Sequence, residues 1–226
     1  MAYYVKAELG LSHTIIYTDD ATRYFRHAGG TLAWRTHNPG NLVPGFVSAR
    51  HHQIGTTGKF AIFPDYENGH AALLDCLKTT YKNSSIDDLV EIYAPKKDGN
   101  NVKVYKKFLH EQTGVLDDKT VSEFTEDEFT KLWCAIEKIE GYQEGPIVEV
   151  YQIVCAHKDK NGLCEFNLKT KGWCSKEECF QLAQNGQLDV LCCISNKGHQ
   201  YISARPHSSI NPSLEQLVVK KRKDKK

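Results

Sequence analysis

The sequence lacks any apolar run near the ~18 residues that would span a bilayer, so no membrane-spanning helix is expected. It also lacks a meaningful net charge. The 29 Lys and Arg against 28 Asp and Glu leave +1, which argues against a whole-chain electrostatic attraction to nucleic acid. The opening Met-Ala-Tyr-Tyr-Val-Lys-Ala-Glu-Leu-Gly has no basic segment followed by an apolar one, so cytosolic synthesis without a signal peptide is expected. No Cys-x2-Cys pair occurs among the eight cysteines, and the vicinal Cys192-Cys193 would point to opposite faces of a strand. Buried free thiols are therefore expected, with no metal and no cofactor. Acids are missing locally as well. Residues 22–59 carry Arg23, Arg26, Arg35, Arg50 and Lys59 with four histidines and no Asp or Glu, a bias that favours an anionic ligand.

What is present divides near residues 141–147, where Gly141-Tyr-Gln-Glu-Gly-Pro146 reads as a linker. The expected first domain is 1–145, the second 147–219, and Lys220–Lys226, six basic residues in seven, reads as a disordered tail. In the first domain, His13–Thr18 and Thr22–His27 flank Asp19-Asp20 as a hairpin. Asn38-Pro39-Gly40-Asn41 is a turn sequence, and Lys59–Phe63 a short strand ended by Pro64. Four helices follow. Asp65 and Ser85 are N-caps for the first two, and Gly114 closes the third. Thr125 with Glu128 forms a capping box for the fourth, which turns Phe129, Leu132, Trp133, Ile136 and Ile139 inward and leaves Glu137 and Glu140 to solvent. In the second domain, strands at Val148–Cys155 and Leu163–Leu168 around Asn161-Gly162 precede a helix capped by Ser175 and Glu178. A further hairpin, Asp189–Ser195 with His199–Ala204, completes it. The predicted fold class is α+β: a mainly helical first domain bearing a β-hairpin, and a small ββαββ second domain.

The run Gly29-Gly30-Thr31-Leu32-Ala33-Trp34-Arg35-Thr36-His37-Asn38-Pro39-Gly40-Asn41-Leu42 resembles a phage and bacterial family with a Trp-Arg-Asn-Asn-Asn-Pro-Gly-Asn signature. Phe60-Ala61-Ile62-Phe63-Pro64-Asp65-Tyr66-Glu67-Asn68-Gly69 is similar to its next block, as are Tyr93-Ala94-Pro95, Asn100, Tyr105 and Thr113-Gly114. The resemblance covers about residues 13–145. Thr36-His37 depart from it, standing where two further Asn are usual. Members are often labelled phage structural proteins or lysozyme-like, peptidoglycan-degrading proteins, and some are secreted antibacterial effectors. A looser likeness is to flagellar-type glucosaminidases, which place an Asn-Leu turn before an aromatic-rich strand and helix. Residues 148–218 resemble a small bacterial domain of unknown function with a Tyr-Ile-Ser-x-Arg-Pro motif, here Tyr201–Pro206.

The resemblance implies a lysozyme-like fold and a muramidase- or glucosaminidase-like hydrolase acting on peptidoglycan glycan strands. Such a protein is a secreted antibacterial effector or a phage-derived lytic protein, made in the bacterial cytoplasm and delivered to a periplasm by a secretion system or phage lysis. A secretion apparatus or an immunity protein would be a partner. The other reading is a non-catalytic virion or secretion-machine component. Glycoside hydrolysis asks for a carboxylic acid near the leaving oxygen and usually a second carboxylate across the sugar. Between Glu8 and Asp65 the only acids are Asp19 and Asp20, so a lysozyme-type Glu just ahead of the Asn turn is missing. Glu67 is then the candidate general acid, with Asp19 or Asp20 as partner. Arg35, Asn38, Asn41, Asp65 and His70 are the candidate substrate-binding residues, Arg35 through a bidentate carboxylate contact and the asparagines through acetamido or hydroxyl groups.

Overall fold

The structure is a computed structural model that describes residues 3–115, 118–160, 162–196, 198–211 and 213–219. The strands at the start of the chain are β1 (Tyr4–Leu9), β2 (Ile15–Asp19) and β3 (Tyr24–His27). A short helix α1 (Leu32–Arg35), a second α2 (Phe46–Arg50) and the two-residue strands β4 (Gly55–Thr56) and β5 (Ala61–Ile62) follow. The longer helices are α3 (Tyr66–Thr79), α4 (Ile86–Tyr93), α5 (Val102–Thr113) and α6 (Glu126–Glu140). Beyond them come β6 (Ile147–Val150), β7 (Ile153–Asp159), β8 (Gly162–Leu168), β9 (Gly172–Ser175), α7 (Lys176–Gln184), β10 (Val190–Ile194) and β11 (Gln200–Ala204).

The expectation of a mainly helical first domain carrying its own hairpin is overturned. The described residues form seven helices and four small antiparallel sheets, an α+β chain in which neither type dominates. Two compact units are present, one made of residues 1–28 with 146–226 and the other of Gly29–Gly145. The β2–β3 hairpin belongs to the first of these, because β3 pairs with β6 (Tyr24 opposite Val150, His27 opposite Ile147) in a sheet of order β1-β2-β3-β6. Ile15, Ile16 and Tyr17 of β2 are buried in succession, the pattern of an inner strand covered on both faces. The expected ββαββ order fails too. Val148–Cys155 is split between β6 and β7, which lie in different sheets, and an unanticipated β9 makes the next sheet β7-β8-β9. Asn161 and Lys197 of the expected hairpin turns, and the tail 220–226, lie outside the described residues.

In the β-rich unit, Asp189 is fully buried and accepts from Arg26 (3.1 Å), Arg205 (2.7 Å) and Ser208 (2.9 Å), while Arg205 also reaches Glu8 (3.0 Å). The Tyr201–Pro206 motif thus serves to hold a buried carboxylate between two guanidiniums. Its apolar core gathers Ile153, Phe166, Leu168, Cys179, Phe180 and Val190. Of the described cysteines only Cys174 and Cys179 are buried; Cys134 and Cys192 are exposed, against the expectation of buried thiols.

The inserted unit, residues 29–145, packs α3, α4, α5 and α6 around Leu73, Leu77, Leu89, Leu109, Leu132 and Ile136. Its helix ends follow local chemistry. Asp65, Ser85 and Thr125 each accept a backbone N–H three residues on, and Gly114 adopts φ 76° at the end of α5. The chain entering the unit and the chain leaving it meet: Thr31 N–H donates to Gln143 O at 3.0 Å, and Gln143 N–H to Thr31 Oγ1 at 3.0 Å. No described helix is long and apolar enough to cross a membrane.

Candidate functional site

The bend at 36–42 is built by its own side chains. Asn38 is fully buried; its Nδ2 donates to Leu42 O (2.9 Å) and Ala61 O (3.0 Å), and its Oδ1 accepts from Leu42 N–H (2.8 Å). Both of its amide hydrogens and one oxygen lone pair are therefore spent on closing the bend and docking it on β5. Helix α3 approaches the same bend through Gly69, where a Cβ would sit 1.8 Å from His37 O. Tyr93 at the end of α4 donates its hydroxyl to Gly40 O. Beyond Gly40 the backbone turns left-handed at Asn41 (φ 46°), a conformation that asparagine tolerates better than most residues. The partly buried Asn41 amide reaches across to α6, where its Nδ2 donates to Glu140 Oε2 at 2.8 Å.

Glu140 is the last residue of α6. Its other oxygen accepts the Tyr105 hydroxyl at 2.8 Å, and burial followed by the Glu140 charge holds the Tyr105 phenol far above its ordinary range. Glu140 lines a cavity of about 170 Å³ with Gly40, Asn41, Phe60, Tyr93 and Asn100. A second acid, Asp98, lines the same cavity and is paired with Lys59 at 3.3 Å. One helical turn earlier, Glu137 accepts the Tyr66 hydroxyl (3.0 Å) and lies 2.8 Å from His70 Nδ1, which with a carboxylate acceptor is the protonated ring nitrogen. Burial and then this bond to Glu137 push the Tyr66 phenol up to about 12. His70 stacks on Tyr66 (centroids 5.5 Å) and stands edge-on to Trp133 (4.7 Å).

The residues singled out from sequence meet different fates. Asn41 is in the cavity. Asn38 is a bend former, and Asp65 caps α3 by accepting from Asn68 N–H at 2.8 Å. His70 is engaged by Glu137. Arg35 donates to the carbonyls of Gly29 (2.6 Å) and Gly30 (2.9 Å), and burial lowers its guanidinium from the usual range; it fastens the loop before α1 rather than facing the cavity. Glu67 is exposed on the first turn of α3 and does not line the Glu140 cavity. Asp19 is buried in the β-rich unit, where it accepts from Arg23 N–H (2.7 Å) and Nε (2.8 Å). Burial alone would raise its carboxyl, but these Arg23 contacts outweigh it and hold the group below the usual range. Asp20 is exposed in the following turn.

The cationic stretch 22–59 is also internally answered. Arg23 pairs with Asp19, Arg26 with Asp189, Arg50 with Asp75 and Lys59 with Asp98. For these four the acids missing from that stretch are supplied by other parts of the chain, while Arg35 meets the Gly29 and Gly30 carbonyls. Trp34 and Phe63 are core residues, while Phe60 reaches the cavity.

The sequence places Glu137 and Glu140 on a solvated face, but both are partly buried in the structure. The available signal was the four-residue spacing Leu132, Ile136, Glu140, which continues the inward stripe to the end of the helix. Among the described residues, no group of three His, Cys, Asp or Glu could hold a metal ion. The chain matches no family model and no curated protein sequence.

Proposed function

We propose that the inserted unit binds and cleaves the glycan of bacterial cell wall, with Glu140 as its acid–base residue in place of Glu67. One observation carries this reading. The carboxylate held by the Asn turn comes from a residue 99 positions downstream, at the end of α6. The gap that chain order left ahead of Pro39-Gly40-Asn41 is filled in space from the other end of the unit. The segments that carry the family resemblance, Gly40-Asn41, Phe60, Tyr93-Ala94 and Asn100, line the cavity around Glu140, and Tyr105 holds it from behind.

Glycoside cleavage needs a proton donor at the leaving oxygen and, in most cases, a carboxylate on the far side of the sugar ring. Glu140 takes the first role and Asp98 is the partner on the same cavity. Asn41 orients the Glu140 carboxylate, and Asn100 offers an amide to sugar hydroxyl or acetamido groups. Such an activity fits a phage-derived lytic protein or an antibacterial effector, with the β-rich unit as the accessory part that recognises a partner.

Purified sacculi incubated with the protein, followed by analysis of released muropeptides, test the reading. Wild type should release fragments, Glu140→Gln should release at least about a hundredfold less while keeping its unfolding midpoint, and Glu67→Gln should match wild type. Folded wild type that releases nothing across the pH range sinks the enzyme assignment. The Lys59–Asp98 ion pair favours one second reading, a non-catalytic glycan binder in which Asp98 is neutralised; it is selected if wild type pelleted with sacculi releases nothing.

A further inference from the structure

The Glu140 cavity does not end at Asn41. It shares Asn41, Val43, Tyr93 and Asp98 with a second cavity of about 400 Å³, whose other walls include Phe46, Val47, Cys76, Tyr81 and Ile92. The chemistry changes across that shared boundary. On one side stand Glu140, Asn100 and the Lys59–Asp98 pair; on the other, Leu42, Val43, Phe46, Val47 and Ile92 make the lining more apolar than polar, with Ser48, Thr80 and Lys97 among them. Three of them, Phe46 (80% exposed), Ile92 (64%) and Val43 (61%), are among the most solvent-exposed large hydrophobic residues described. Burial pushes the Cys76 thiol up, which favours its uncharged form in the wall of this cavity.

Exposed apolar side chains scattered singly need no explanation, but three of them rimming one concavity beside a polar site do. The volume lies within the roughly 300–1,000 Å³ of ordinary small-ligand sites and far exceeds what a single acetamido methyl group fills. Phe46 heads the short helix α2, directly after Gly45; it lines the cavity yet stays outside the core, with the Arg50 guanidinium 5.3 Å from its ring centre.

We propose that this second cavity is a binding site for an apolar substituent, an aryl or short acyl group, attached to the saccharide whose polar part meets Glu140. The ligand of the cleft is therefore amphiphilic. The saccharide half rests on the proposed glycan reading; the apolar half rests on the lining of the second cavity alone.

Two measurements on the full chain separate the halves. The first uses anilinonaphthalene sulfonate, an anionic aryl dye with no sugar whose fluorescence rises in apolar surroundings. Wild type should bind it with enhanced fluorescence, and the double variant Phe46→Ala with Val43→Ser, both exposed positions whose change should leave the unfolding midpoint in place, should lose that signal by at least about tenfold. The second compares p-nitrophenyl glycosides and O-butanoyl esters of N-acetylated amino-sugar oligomers with the unsubstituted oligomers by calorimetry, on wild type and on Glu140→Gln. Substituted ligands should bind at least about tenfold tighter to both proteins, and the advantage should vanish in the double variant. Dye binding that survives the double variant, or equal affinity for substituted and unsubstituted oligomers, overturns the proposal. Dye binding that depends on Phe46, together with failure to bind any oligomer, leaves the apolar site standing and removes the glycan reading instead.

Discussion

Gly69→Ala sets two opposing effects against each other with the sign decided by one distance. Gly69 is a fully helical position in α3, and alanine is favoured over glycine there by about 1 kcal/mol. In an open helix the substitution would therefore stabilise. Here the added Cβ would lie 1.8 Å from His37 O, 2.9 Å from His37 C and 3.1 Å from Pro39 Cδ. An ordinary carbon–oxygen contact is about 3.3 Å, so the carbonyl must retreat by roughly 1.5 Å. The obstacle is backbone, and that backbone is pinned by the three Asn38 bonds and by Phe63 N–H donating to Thr36 O at 3.0 Å. Overpacking a well-filled site costs about 1–3 kcal/mol, and a rigid backbone neighbour puts this case at or above the upper end. The expected net result is a destabilisation of about 2 kcal/mol, read as a lower urea midpoint at unchanged slope. Ala71→Gly, two positions on, should cost about 1 kcal/mol through propensity alone and serves as the control. The same displacement would pull Asn41 from Glu140, so any muropeptide release should fall further than stability does. A Gly69→Ala protein as stable as wild type, or more so, would refute the close approach of α3 to the bend.

Asp189→Asn leaves Arg26 and Arg205 facing a neutral amide in a buried setting and should cost about 3–5 kcal/mol in chemical denaturation, because an uncompensated buried charge is the dominant effect. Tyr105→Phe removes one donor from Glu140 and should lower stability by about 1 kcal/mol, measurable by the same method. Asp75 and His110 give opposite pH dependences. Burial raises the Asp75 carboxyl, but hydrogen bonds from His51 and Arg50 outweigh it and set the group below its ordinary 3.8; its contribution is present above that value and is lost as pH falls through the lower folded value. Wild type should therefore lose its stability advantage over Asp75→Asn on acidification below about pH 4. Burial lowers His110, but the Val115 carbonyl and Asp87 outweigh it and set the ring above 6.5. Its contribution is complete below 6.5 and fades as pH rises through the higher folded value, so the gap between wild type and His110→Gln should close on the alkaline side.

Helix boundaries were legible in the sequence because their chemistry is local: Asp65, Ser85, Thr125 and Ser175 each satisfy an N–H three residues away. The strand pairings that organise the β-rich unit were not, because β3 alternates equally well as half of an isolated hairpin or as the neighbour of β6 far along the chain. Charge was misleading for a related reason. A stretch without acids looks like an anion site only until the folded chain brings Asp75, Asp98 and Asp189 to its arginines and lysine. The site itself was half visible. The Asn turn announced its own conformation through Pro39, Gly40 and Asn41, but the acid it holds arrives from another helix, and no local pattern names that helix as its partner.

The close approach of Thr31 to Gln143 bears on chain order. Splicing those two points and cutting instead in the loop between α5 and α6 would leave every contact around Glu140 intact while moving α6 to the front. The reordered polypeptide would run acid first, then bend, then strand and long helix, a succession that the natural chain order lacks. Linear order and spatial arrangement are, in this unit, separate properties.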